Sequence, residues 1–465
     1  MTTLDLPFVR AQFPAFSEPS LRDFAHFENA GGSYACGQAI DALERFYRRN
    51  KVQPYHHFAP SSEGGEQMER AYERMAAWLN VGADEVHFGP STSLNTYVLA
   101  QALRQELAPG DEVIVTNQDH EANVGAWRRL ADSGITVREW RIDPDTCELH
   151  PSALEALLTG RTRAVAFTHC SNIVGSINPV REICDLVHEA GALAIVDGVS
   201  FCPHGMPDIP STGADVYLFS LYKVYGPHLG VMYLRRGLNA EWPSQGHFFN
   251  VDKPRYRFTP AGPDHAQIAA VNGVMDYMDA LYVHHAPEAV DAPTERAATV
   301  RDLMRGQESR LLQPLLDYLA DHPAVKLIGK TDAERRAPTV AFTVRAQSSD
   351  ALARQLATDL IVVVWVYLWI RAASWLHDRV GELAGAGLLL AYSMLFFGLL
   401  PVLICPTTCD GAALDVGGIV TMALAGLVCL VLLALLLRGK RPFSHAMHQL
   451  SSFAISPSGF GRKIW

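Results

Sequence analysis

The sequence predicts an α/β unit built on a mostly parallel sheet with both faces covered, followed by a helical hairpin that crosses a membrane. Three observations carry this. Short, nearly continuous apolar runs alternate with helical patterns along the first two-thirds of the chain. Gly and Pro punctuate the joints between them. Near residue 360 the composition breaks, and two uncharged apolar stretches follow.

The strands are expected at 112–117 (EVIVTN), 135–140 (ITVREW), 164–169 (AVAFTH), 192–197 (ALAIVD), 215–220 (DVYLFS) and 229–234 (LGVMYL). Helical patterns fall between several of them, at 152–159 and 179–190. Pro109-Gly110, Gly134 and Gly191 mark turns. Apolar strands that barely alternate read as buried on both faces, which is the pattern of a parallel sheet between helical layers.

Composition bounds the rest. The 465 residues carry a net charge of −10 and are 49% hydrophobic, enough for two or three domains and a large core. The acidity and the lack of basic runs argue against nucleic acid as a partner. Eight cysteines in this length do not make a disulfide framework.

The first 360 residues hold 32 basic and 45 acidic side chains; the remaining 105 hold seven and four. Residues 384–404 and 416–437 contain no charge, and each is long enough to cross roughly 30 Å of hydrocarbon as a helix. A buried core hairpin is the alternative. Arg371 and Arg379 precede the first span, and Arg438, Lys440 and Arg441 follow the second. The connecting loop has no Lys or Arg, so the positive-inside rule puts both ends, and the front unit with them, on the cytoplasmic side. Cys405 and Cys409 then fall at the outer face. Residues 361–370 are apolar but short for a span. The N-terminus shows no basic region followed by an apolar run, so no signal peptide is expected.

In a parallel sheet, ligands bind beyond the carboxyl ends of the strands. Four such ends carry chemistry. Asp197 closes one strand. Lys223 follows another, after Ser220 and Tyr222. His120 lies beyond a third. Ser91, Thr92 and Ser93 precede an apolar helical run. The chain has seven lysines against 32 arginines, so a lysine just past a buried strand is informative. Desolvated, it becomes a nucleophile able to form a Schiff base; otherwise it is an edge lysine with a solvated head. Asp197 reads as a helix cap or a ligand-facing carboxylate, and the hydroxyls as a cap or a phosphate site on a helix N-terminus. His120 alone reads as structural. Together the four make the set expected for pyridoxal phosphate.

The chain resembles the class V aminotransferase and cysteine desulfurase-like family of fold-type I pyridoxal 5'-phosphate enzymes. The motifs that carry this are FENAGGS (27–33), FGPSTSLNTYVLA (88–100), DHEANVGAW (119–127), THCSNIVGSINPV (168–180), VDGVSFCPHG (196–205) and FSLYKVYGPHLGVMYLR (219–235). The resemblance implies a large domain at 1–265, a partial small domain at 266–360, and an unrelated membrane segment at 361–465. It implies that Lys223 holds the cofactor as an internal aldimine and shuttles the α-proton. It pairs Asp197 with the pyridine nitrogen and stacks His120 on the ring. Thr92, Ser93 and Ser220 match phosphate hydroxyls. Asn172 matches a group near the 3-oxygen, Ser200 stands where Gln is usual, and Tyr222 stands where many desulfurases have His. The loop 258–265 matches one that reaches the partner's phosphate in the family homodimer, with Gly262 in place of a usual Thr.

Two departures are expected to matter. Desulfurases carry a nucleophilic Cys in the small domain, and here none occurs between Cys202 and Cys405. The remaining cysteines of the front unit, 36, 147, 170 and 184, with Cys202, read as buried small hydrophobes. The family's substrate-carboxylate Arg belongs beyond residue 360, where only Arg371 stands nearby. The expected function is therefore an amino-acid enzyme of aminotransferase, epimerase or lyase type. The alternatives are a non-catalytic remnant serving as a membrane-anchored scaffold, or a fused or frameshifted gene product.

Overall fold

The fold is that of a computed structural model, which describes residues 3–21, 26–286, 292–345 and 347–356. The chain divides into two units, Met1–Thr343 and Val344–Trp465. In the second unit the described residues run only to 356, with 349–356 helical.

The first unit is organised by seven strands: β1 (Val86–Gly89), β2 (Glu112–Thr116), β3 (Thr136–Trp140), β4 (Thr162–Thr168), β5 (Leu193–Asp197), β6 (Val216–Ser220) and β7 (Gly230–Leu234). Their order across the sheet is β1-β7-β6-β5-β4-β2-β3. From β3 to β6 the pairing is parallel, and β7 and β1 add an antiparallel edge. All six expected strands are present.

Alternation explains why the strands read as continuous apolar runs. Val165 and Phe167 of β4 point into one core with Ile114, Val196 and Phe219. Ala164 and Ala166 point into the other with Val113, Ile195 and Leu218. Both faces are covered, so neither set of positions is free to be polar. On the first face the cover is α2 (Ala59–Leu79), α4 (Val180–Glu189) and α5 (His265–His285), through Met68, Tyr72, Ile183, Val187, Val271 and Met275. On the second face it is α3 (Thr92–Glu106), through Leu99 and Leu103, with Trp127. α1 (Gly37–Arg49) packs on α5 at a glycine: a Cβ at Gly273 would sit 2.2 Å from the Gln38 carbonyl oxygen.

The helix expected at 152–159 is shorter and runs Pro151–Glu155. After α5 come α6 (Pro293–Asp321) and a two-stranded sheet of β8 (Val325–Ile328) and β9 (Ala341–Val344). The segment between β8 and β9 returns to the large sheet's loops, where the Ala337 N–H donates to the Gly175 oxygen at 2.8 Å.

Among the described residues no helix is long and apolar enough to cross a membrane. The stretches 361–370, 384–404 and 416–437, with Arg371, Cys405 and Cys409, lie outside the described residues.

Candidate active site

The carboxyl ends of β2, β4, β5 and β6 converge on one cavity, closed on the fourth side by the start of α3. It is lined by Lys223, Asp197, His120, Thr92, Ser93, Asn172, Ser200, Ser220 and Tyr222, so all nine residues singled out in the sequence share it. Ser91, Asp119, Thr168 and His228 line it as well.

The α3 end is built by Ser91, whose Oγ caps the helix by accepting the Leu94 N–H at 3.2 Å. That leaves the first turn's remaining N–H groups and the hydroxyls of Thr92 and Ser93 at the positive end of a 15-residue helix dipole. Thr92 Oγ1 and Ser220 Oγ lie 2.7 Å apart, so one anion reaches both. The approach of β7 to this turn requires glycine. A Cβ at Gly230 would lie 2.4 Å from the Ser91 carbonyl carbon and 2.6 Å from the Thr92 nitrogen. Both are backbone atoms and cannot step aside. Gly230→Ala is expected to cost about 2–3 kcal/mol as overpacking and to weaken phosphate binding. A lowered denaturant midpoint with weaker retention of the cofactor's phosphate would show it.

Asp197 ends β5 and is 3% exposed. One oxygen accepts the Val199 N–H at 2.7 Å. Burial pushes its carboxyl up to about 6, against the Val199 N–H, Lys223 and His120. Lys223 closes the short 3-10 turn Leu221–Lys223 after β6 and is 9% exposed. Burial lowers its affinity for a proton, against the pull of Asp197 and Glu28. Acid and amine are thus each pulled toward the neutral form by loss of water.

The lysine turn is braced from outside. Tyr225 adopts φ +62°, a strained region for a bulky residue. It is held there by its N–H donating to Ser33 Oγ at 3.0 Å and its hydroxyl donating to the Pro203 oxygen at 3.0 Å. The Ser33 N–H in turn donates to the Tyr222 oxygen at 3.2 Å, and the Cys36 N–H to the Tyr225 oxygen at 2.9 Å.

Opposite, Asp119 and His120 follow β2. Burial and the nearby Asp197 push the Asp119 carboxyl well above the usual range, against hydrogen bonds from Asn123 and the His120 N–H. Tyr222 stacks on His228, with centroids 4.9 Å apart and planes 3° apart. Asn172 sits in a loop closed by the Asn178 N–H donating to the His169 oxygen at 2.8 Å. His228 was not singled out in the sequence: a lone histidine after a turn gives no signal, and its Nδ1 lies 3.1 Å from a backbone oxygen, that of Pro90. Gly262 lies in an adjoining cavity that His228 also borders. A side chain at Gly262 would meet nothing within 4 Å, so packing within one chain does not explain the missing Thr.

The family model for class-V aminotransferases matches residues 25–364. An aminotransferase-like protein of Gibberella zeae, FGM3, is 35% identical over 358 residues, covering 74% of this chain and 83% of that protein. The chain belongs to the aminotransferase class-V family. Solved structures agree on the fold. The apo cysteine desulfurase of Thermococcus onnurineus NA1 is 20% identical, with TM-score 0.63, over 77% of this chain and 87% of that one. A variant of C-DES with glycine covalently linked to its PLP cofactor is 18% identical, with TM-score 0.60, over 75% and 90% of the two chains.

Class-V membership makes this chain a pyridoxal phosphate enzyme, and the donor set fits that cofactor. The hydroxyls and helix end suit a dianion, the buried acid suits a protonated ring nitrogen, and the desolvated amine suits an aldehyde. Of the cysteines, Cys36, Cys170, Cys184 and Cys202 are buried, as small hydrophobes are, while Cys147 is only half-buried. Burial raises the thiols of Cys36 to about 11 and of Cys170 and Cys184 to about 12, which keeps them protonated. None of the five lines the cavity.

Proposed function

We propose that this class-V enzyme labilises a bond at the α-carbon of a free amino acid, with Lys223 as the group that both holds the cofactor and carries the proton. The observation that carries it is the pairing of Lys223 and Asp197, both desolvated, in one cavity.

Pyridoxal phosphate, when bound, supplies an electron sink for the carbanion at the α-carbon. The chain does the rest. Thr92, Ser93, Ser220 and the N-terminus of α3 bind the phosphate. Asp197 keeps a proton on the ring nitrogen. His120 would cover the ring, and Asn172, Ser200 and Tyr222, which line the same cavity, would border it. With the substrate's amine bound in its stead, Lys223 would be a free amine that burial favours in its neutral form. Its Nζ is placed to take the α-proton: return to a second carbon would give transamination, return to the opposite face of the α-carbon would give epimerisation, and in elimination the β-substituent would instead leave with its bonding electron pair. An amino-acid substrate and a homodimer go with this reading.

The test is exchange of the α-proton in heavy water across the common amino acids, with products followed as oxo acid, inverted stereocentre or lost β-substituent. Exchange on at least one of them is the expected result. A cofactor-loaded protein that exchanges none would overturn the reading and leave a non-catalytic fold.

A further inference from the structure

The motif DHEANVGAW holds more than the stacking histidine. Asp119, Asn123 and Trp127 are spaced four residues apart, and their side chains form one hydrogen-bonded line. The Trp127 Nε1–H donates to Asn123 Oδ1 at 3.3 Å, and Asn123 Nδ2 donates to Asp119 Oδ2 at 2.7 Å. The other Asp119 oxygen, Oδ1, accepts the His120 N–H at 2.8 Å. Asn123 and Trp127 have no exposed surface, so the far end of the line is fixed in the core beside β2. Asp119 and His120 are the two members that reach the cavity.

His120 is fixed from its other side too. Its Nδ1 accepts the Ala122 N–H at 3.0 Å. A nitrogen that accepts a backbone N–H carries no proton of its own, so the neutral ring holds its proton on Nε2. The Asn123 N–H donates to the His120 oxygen at 2.9 Å, which ties the same turn at a third point.

We propose that Asp119, anchored through Asn123 to the indole of Trp127, is the positioning residue that sets the orientation and the Nε2–H tautomer of His120. The carboxyl group of Asp119 fixes the backbone of residue 120; the resulting turn aims the Ala122 N–H at Nδ1; the ring is left with one donor, Nε2–H, and one orientation. A planar ring held this way meets a cofactor ring at a fixed angle and without loss of side-chain freedom on binding. The proposal rests on the reading of His120 as the residue that covers the cofactor, but its first test needs no cofactor.

The experiment uses the full chain, stripped of cofactor and labelled with 15N-histidine, with His120→Gln to assign the signal. Long-range proton–nitrogen correlation is expected to show the Nε2–H tautomer in wild type. In Asp119→Ala both tautomers are expected. Trp127→Phe removes only the indole N–H and keeps a large apolar ring, and is expected to give a smaller shift the same way. On reloading, Asp119→Ala is expected to bind pyridoxal phosphate about fivefold more weakly, the equivalent of one lost hydrogen bond, with a reduced visible circular-dichroism band. Asp119→Asn alone mismatches donors and acceptors along the line at nearly constant shape and is expected to lose the single tautomer, while adding Asn123→Asp restores a donor facing each acceptor and is expected to recover both signals; a role in packing alone leaves the single and the exchanged variants equally intact. An unchanged tautomer in Asp119→Ala overturns the proposal, and so does failure of the exchanged pair. Absence of α-proton exchange, with the tautomer result as expected, strikes the functional reading and leaves this one standing.

Discussion

Lys223→Ala is expected to abolish the visible absorption of the cofactor-loaded protein and to cut α-proton exchange by roughly a thousandfold or more, the scale set by loss of a positioned base and a covalent anchor. The protein should stay folded. Lys223 ends a three-residue turn whose shape is set by Ser33, Cys36 and Tyr225 rather than by its own side chain. Removing a desolvated amine relieves a cost, so the unfolding midpoint should hold or rise. The phosphate end of the cavity is untouched, and the variant should still bind the cofactor without a bond. A visible spectrum and an exchange rate equal to wild type would remove Lys223 from the chemistry.

The second large effect concerns stability and has the opposite sign to the effect on activity. In the cofactor-free protein, burial holds the Asp197 carboxyl at about 6, above the ordinary carboxylate value of 3.8. An acid whose folded value is raised contributes no penalty below about pH 4, where it is protonated in both states. The cost grows from about pH 4, where the acid of the unfolded chain ionises, and stands in full above about pH 6. That cost is on the order of 2–3 kcal/mol. Asp197→Asn keeps an oxygen for the Val199 N–H and removes the charge. The cofactor-free variant should therefore be more stable than wild type at pH 7 to 8 and indistinguishable from it near pH 4. Thermal unfolding across that range checks this. On loading, the order is expected to reverse, because a protonated ring nitrogen repays the acid its lost solvation, while turnover by the variant falls sharply. Equal stabilities of the two cofactor-free proteins at pH 8 would mean that Asp197 is hydrated in the folded state.

Much of this was legible in the chain because burial on both sides of a sheet leaves a one-dimensional trace. Val165 and Phe167 face one core and Ala164 and Ala166 the other, so the run reads apolar throughout. The residues at the strand ends could be found because they break that run. The parts that went unread lack such contrast. β8 and β9 are half-exposed four-residue strands in a two-stranded sheet, and their side chains carry no clear alternation. His228 gave no periodic signal. Asp119, Asn123 and Trp127 stood in view inside a quoted motif. Their four-residue spacing acquires meaning only once a turn and a short helix bring the three side chains into line.

The brace around the lysine turn ties the timing of assembly to that of function. Ser33 meets Tyr222 and Tyr225 at sequence separations of 189 and 192. Contacts that distant form only after the segments between them have condensed. An immature chain thus has an ordinary solvated lysine, poorly suited to capturing aldehydes, and reactivity emerges only when the segment around Ser33 and Cys36 has docked against the completed sheet.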